Sequence, residues 1–235
     1  MKKSRLFLVT FLVCVYAFTL TVSVAALIRS VPVSGVQSAM RVVIDAGHGG
    51  IDGGVTGKQT KTKESDLNLK IALLLGQRLE ENGFDVVYTR KTASGLYDTT
   101  AKGFKKRDML KRKEIIENAN PSLVISLHQN YIGAAYCRGA TVFYRKESEG
   151  GKRFAEEMQS RLNGLYQKSG VKPRKSVAGE FFLLDCADCP SILVECGFLS
   201  NVKDESLLLS PIFQSELVGV MSASITAYLA QSGSA

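Results

Sequence analysis

Apolar and polar positions divide the chain into segments of different character. Leu6 to Ile28 is uncharged and apolar on every face; it follows Lys2, Lys3 and Arg5 and closes at Arg29. A run of this length approaches the roughly 20 residues that span a bilayer, and basic residues on its leading side send the downstream chain outward. Residues 1–29 are therefore read as a signal peptide or N-terminal membrane anchor, with Ser23-Val24-Ala25 as a small-x-small cleavage candidate. The stretch 30–40, with Pro32, Ser34 and Gly35, predicts a linker; residues 41–230 predict one globular domain and 231–235 a tail.

Past residue 40 the periodicity alternates. Short β-branched or apolar runs predict strands at Arg41–Ile44, Asp85–Thr89, Leu123–Leu127, Ala140–Tyr144, Phe181–Leu184 and Ser191–Glu195. Between them, Leu67, Ile71, Leu74, Leu75 and Leu79 recur at helical spacing, with Ser65 as the expected N-cap and Asn82-Gly83 as the stop. Further helices are expected near Lys105–Asn118, over about 151–166, and from Ser210-Pro211 to the end, with Phe213, Leu217, Val220, Met221, Ser224 and Tyr228 on one face. Strands alternating with helices, in runs such as Leu-Val-Ile and Ile-Leu-Val, predict an α/β fold. Its expected core is a mostly parallel central sheet of about six strands, covered by helices on both faces.

Composition then narrows the partners. The 235 residues carry a net charge of +8, concentrated in Met1–Arg5 and Lys102–Lys113. Such a balance suits a polyanionic neighbour, but no aromatics interleave with the basic residues, which argues against nucleic acid. The Lys102–Lys113 run reads first as a solvated helix face. Of five cysteines, Cys14 lies in the leader, and Cys137, Cys186, Cys189 and Cys196 fall on the exported side. Cys186 and Cys189 have metal-ligand spacing without a second close pair, so a disulfide or free thiols are preferred over a structural metal.

The two histidines carry the chemistry. His48 lies in Asp45-Ala46-Gly47-His48-Gly49-Gly50 just past one predicted strand, and His128 in Ser126-Leu127-His128-Gln129-Asn130 just past another. A third strand ends on Glu195. Sites in open α/β sheets form beyond the carboxyl ends of the strands, so two imidazoles and a carboxylate converge on one rim. Those are donors for zinc, with a position left for water. A further ligand is open among Asp45, Asp52, Glu64 and Asp66; Glu64, before the helix start, ranks first, whereas Asp66 reads as complementing the helix dipole. Asn130 and Arg90 are read either as substrate contacts or as partners of backbone groups. The glycine-rich segment Gly53–Lys63 is a candidate mobile rim.

Across Arg41–Leu229 the sequence resembles the zinc-dependent N-acetylmuramoyl-L-alanine amidases of amidase family 3. The resemblance rests on Val43–Gly50, Glu64 ahead of Asn68-Leu69, Thr89-Arg90, Ala119-Asn120, Ser126–Asn130 and Val194–Asn201. It implies that His48, Glu64 and His128 bind Zn2+, that Glu195 is the catalytic acid/base, and that the substrate is peptidoglycan. Gln129 stands where the family often has a smaller residue, which is expected to reshape the pocket beside the metal. A leader fused directly to a catalytic domain is similar to the spore-cortex type, outside the cytoplasm and either membrane-anchored or secreted. In such relatives an activating protein partner is common. A zinc peptidase or deacetylase on the same polymer, and a silent glycan-binding scaffold, are the competing readings.

Overall fold

The computed structural model describes residues 40–134 and 136–232. The leader, the linker up to residue 39 and residues 233–235 of the tail lie outside the described residues. Six strands form one sheet: β1 (Arg41–Ala46), β2 (Asp85–Tyr88), β3 (Leu123–Asn130), β4 (Thr141–Tyr144), β5 (Val177–Ala178) and β6 (Ser191–Phe198), in the order β2-β1-β3-β6-β4-β5. Every neighbouring pair is parallel except β4 with β6. Among the described residues, five α-helices accompany them: α1 (Glu64–Glu81), α2 (Phe104–Ala119), α3 (Glu149–Gln167), α4 (Val202–Leu209) and α5 (Pro211–Ser232).

Strand side chains alternate between faces, and here the two faces do different work. Val42, Ile44 and Ala46 of β1, Leu123, Ile125 and Leu127 of β3, and Ile192, Val194 and Cys196 of β6 share a core with α1, α3 and α5. The residues between them, Val43 and Val124, pack instead on Ile116 and Ala119 of α2 and on Leu183 and Cys186. On this second face the strands also carry Asp45, Ser126, His128 and Glu195. Polar chemistry therefore clusters on the side covered by α2, while the larger apolar core holds the opposite side together.

Several boundaries differ from the sequence expectation for identifiable reasons. Ser65 is not the N-cap: α1 begins at Glu64, and the capping position is Lys63, in extended conformation and without a side-chain cap bond. Segment 181–184 is not a strand but a 3-10 turn over Phe182–Asp185, closed by Leu184 N–H to Phe181 O and Cys186 N–H to Leu183 O. Leu183 and Leu184 are buried, Leu183 against the α2 side, which periodicity alone cannot distinguish from strand burial, while Phe182 is exposed. Strand β3 runs on to Asn130, so His128 lies within it. The short α4, capped by Asn201 Oδ1 accepting from the amides of Lys203 and Asp204, is an element beyond those the periodicity predicts. Asn82-Gly83 does end α1, with Gly83 at φ +85°.

Candidate functional site

The loop after β1 is built to bring His48 back over the sheet. His48 adopts φ +61°, a left-handed conformation uncommon for a side-chain-bearing residue. Two buried arginines hold it there. Arg112 donates to the carbonyls of Ala46 (2.8 Å) and His48 (2.6 Å); Arg90 donates to those of Ala46 (2.8 Å), Gly47 (3.0 Å) and Ser65 (2.8 Å). Arg90 thus serves backbone groups, deciding one alternative left open by the sequence. Arg112 belongs to the basic run, yet it is 1% exposed and bonds Asp45 at 2.5 Å and Asp108 at 2.6 Å. That helix face is therefore not wholly solvated.

Asp45 lies at the floor. It accepts from Thr89 and Ser126, each at 2.6 Å, as well as from Arg112. Burial alone would raise its pKa, but Arg112 and the two hydroxyls outweigh that and lower it to about 2. Those bonds tie the end of β1 to the residue after β2, to β3 and to α2, so Asp45 is a structural ion in the cavity floor. Asp66, exposed in the first turn of α1, stays a helix-terminus charge.

Glu64 is the carboxylate that joins the histidines. Its Oε1 lies 3.0 Å from His128 Nδ1, and its Oε2 lies 3.3 Å from His48 Nε2. The two imidazoles stand edge to face with centroids 5.0 Å apart. One donor atom from each of the three residues can be chosen so that all lie within 4.8 Å of one another, a set that can hold a metal ion. Two further observations fit a metal. His48 Nδ1 is 3.1 Å from Asp52, which fixes that nitrogen as the protonated one and leaves Nε2 for a cation. Gly47 and Gly54 flank the donors so closely that a Cβ on either would collide with His128 or with Glu64 and His48. The glycines are therefore required for close approach, beyond simply permitting a turn. Glu64 also accepts from the amides of Val55 (2.9 Å) and Gln129 (3.1 Å), and its pKa is driven well below the usual range by the imidazoles despite burial. His48 is pushed upward: burial opposes its charge, but Glu64 and Asp52 outweigh it.

Glu195 sits beside His128 in the β3–β6 register. Burial raises its pKa, partly offset by His128 and His48, to about 7, and its Oε2 is buried without a hydrogen-bond partner among the described residues. A carboxyl poised near neutrality can take a proton and give it back. It opens into a cavity of about 320 Å³ between the strand ends and α2, walled by Phe104, Met109, Leu183 and Leu193. Gln129 does not reshape this cavity. It is buried on the opposite side of the strand, donating to Asn68 at 3.1 Å. The four cysteines among the described residues are free thiols.

A model of the N-acetylmuramoyl-L-alanine amidase family matches residues 42–227. The chain belongs to this family. A germination-specific N-acetylmuramoyl-L-alanine amidase of Bacillus subtilis (strain 168) is 30% identical over 207 residues, covering 87% of this chain and 84% of the relative. Among solved structures, the CwlD amidase from Clostridioides difficile, in complex with the GerS lipoprotein, superposes with a TM-score of 0.74 at 35% identity, over 81% of this chain and 98% of that one. An N-acetylmuramoyl-L-alanine amidase from Clostridium difficile 630 superposes with a TM-score of 0.71 at 28% identity, over 81% and 97%. The sequence reading of family and fold thus agrees with the amidase architecture. Two contributors to the site escape that reading. Arg112 is hidden inside a run of exposed lysines, and Asp52 lacks any signal separating it from the other acids.

Proposed function

We propose that this chain is a zinc-dependent N-acetylmuramoyl-L-alanine amidase that works outside the cytoplasm on peptidoglycan, in wall or spore-cortex remodelling. His48, Glu64 and His128 are its metal ligands and Glu195 its catalytic acid/base, within a catalytic domain spanning 41–230 behind a leader that anchors or exports it. The observation that carries the proposal is the convergence of the three donors from the β1 loop, the α1 start and β3 on one spot, with the protonatable Glu195 alongside. Two imidazoles and one carboxylate are the donors of catalytic zinc sites, which keep a fourth position open. Zinc bound there would polarise the scissile carbonyl and lower the pKa of water toward about 7.

The protein's own groups then divide the work. Asp52 orients His48 through Nδ1. Glu195 accepts the proton of the attacking water at its carboxylate and hands it to the departing alanine nitrogen. The apolar cavity walls exclude bulk water from the reacting amide. An activating protein partner belongs to the proposal, supported by the lipoprotein complex of the C. difficile relative.

Mass spectrometry of peptidoglycan digested by the zinc-loaded protein tests this reading. Free stem peptides with an amino-terminal alanine are expected; released acetate or shortened stems would instead indicate a deacetylase or a peptidase. Glu195→Ala should keep zinc and lose cleavage, whereas His128→Ala should lose both. Undiminished cleavage by Glu195→Ala would refute its acid/base role.

A further inference from the structure

The cavity beside Glu195 is lined by two cations, Arg112 and Lys105, and only one is available to a ligand. Arg112 is 1% exposed and committed to Asp45, Asp108 and two loop carbonyls. Lys105 projects from the first turn of α2 with its side chain 66% exposed, and its ion-pair partner is Asp52 at 3.1 Å. An ammonium group has three donors, so that contact leaves two to spare.

The cavity's aspartates are already paired, Asp45 and Asp108 with Arg112 and Asp52 with His48 and Lys105, and the start of α2 itself is positive. The first turn of α2 contains no acidic residue, and its N-cap is Gly103, which has no side chain to cap it. Lys102 and Lys106, both exposed, flank Lys105. The adjoining wall of Phe104, Met109, Leu183 and Leu193 is apolar. An arrangement of this kind favours a short aliphatic stretch followed by an anion.

Charge separates the two halves of a muramoyl peptide. The glycan half presents hydroxyl and acetamide groups, which are neutral; the carboxylates lie on the peptide half. We infer that the peptide half of the substrate lies against the start of α2, and that Lys105 is a specificity-determining residue which pairs with the carboxylate on the residue following alanine. The apolar wall receives the alanine methyl and the methylenes of that residue. This rests on the amidase reading. It adds which side of the site takes the peptide, and a preference for an acidic stem over an amidated one.

The test uses the zinc-loaded full chain and two synthetic muramoyl peptides that differ only in bearing a carboxylate or a carboxamide on the residue after alanine. The parent should show the lower KM for the carboxylate. Lys105→Ala should raise that KM about tenfold, the scale of a hydrogen bond to a charged group, while leaving kcat and the carboxamide KM within about twofold. Lys105→Arg should recover most of the preference. Zinc affinity, read by competition with a chromophoric chelator, should be unchanged in Lys105→Ala. Equal losses on both peptides, or weakened zinc binding, would show that Lys105 acts only through Asp52 and His48 and would overturn the inference. So would a parent indifferent to the carboxylate, as expected if the cavity takes the sugar. A parent that cuts neither peptide, alone or with the activating protein partner of the proposal supplied, overturns the amidase reading and this inference with it.

Discussion

Adding one methyl group at Gly47 should remove metal binding while leaving the fold in place. Gly47 is not in the left-handed region, so its backbone accepts alanine; the conflict is steric. An alanine Cβ there would lie 2.8 Å from His128 Nδ1 and closer still to Cε1 and Nε2. Comfortable separations are about 3.5–4.0 Å, so the ring has to retreat by roughly 1 Å. Metal–ligand distances tolerate about 0.2 Å, several times less than that displacement. His128 would be lost as a ligand, and zinc affinity should fall by ~100-fold or more, beyond the 10–100-fold typical of disturbing a ligand's supporting contacts. Overpacking costs about 1–3 kcal/mol, partly offset by the roughly 0.4–1 kcal/mol gained when alanine restricts the unfolded chain. The net destabilisation should therefore stay near ~1–2 kcal/mol. Gly164 in α3 and Gly219 in α5 supply the control. A Cβ at either meets no heavy atom within 4 Å, and alanine there should stabilise by about 0.5–1 kcal/mol without touching zinc. Chelator competition reads the affinity and urea denaturation the stability. If Gly47→Ala bound zinc as tightly as the parent, the crowded geometry assigned to the site would be wrong.

Glu195→Gln, which should slow hydrolysis by roughly 10²–10⁴-fold, should also make the metal-free protein more stable at pH 8. The raised pKa of about 7 means the buried carboxylate costs stability once pH climbs above its unfolded value of 4.5, by about 1–3 kcal/mol; equal urea midpoints for variant and parent would contradict this. Asp45 acts in the opposite sense. Its pKa of about 2, against 3.8 unfolded, contributes about 2 kcal/mol that is present above about pH 5 and lost as pH falls toward 2. Asp45→Asn should cost about 3–5 kcal/mol at pH 7 by leaving Arg112 undercompensated, and should flatten the acid limb of the stability–pH curve. Glu205→Gln should loosen the loop ahead of Glu64, because this 1% exposed carboxylate accepts from the Gln59 amide at 2.9 Å and from the Thr60 amide and hydroxyl at 2.7 Å each. Faster hydrogen exchange confined to residues 57–63, with a loss of about 1–3 kcal/mol, is the expected signature; unchanged exchange there would exclude Glu205 as the loop's tether.

Much of this protein was written in short-range pattern. β-Branched runs alternating with helical spacing determined a parallel α/β sheet, because strand and helix periods are properties of local chain geometry. The expectation that His48, His128 and Glu195 close three parallel strands located the rim where chemistry would gather, although β3 and β6 run on past His128 and Glu195. Tertiary structure decided what each charge does there. Asp45, Asp52, Glu64 and Asp66 are equivalent as letters, yet one is locked under two hydroxyls and an arginine, one orients an imidazole, one bridges both imidazoles, and one faces solvent. Likewise Arg112, inside a run of exposed lysines, became the buried post that holds the histidine loop. Those roles depend on which distant groups surround a carboxylate or guanidinium and how far water is excluded. Long-range packing sets both, and neither leaves a periodic trace in the sequence.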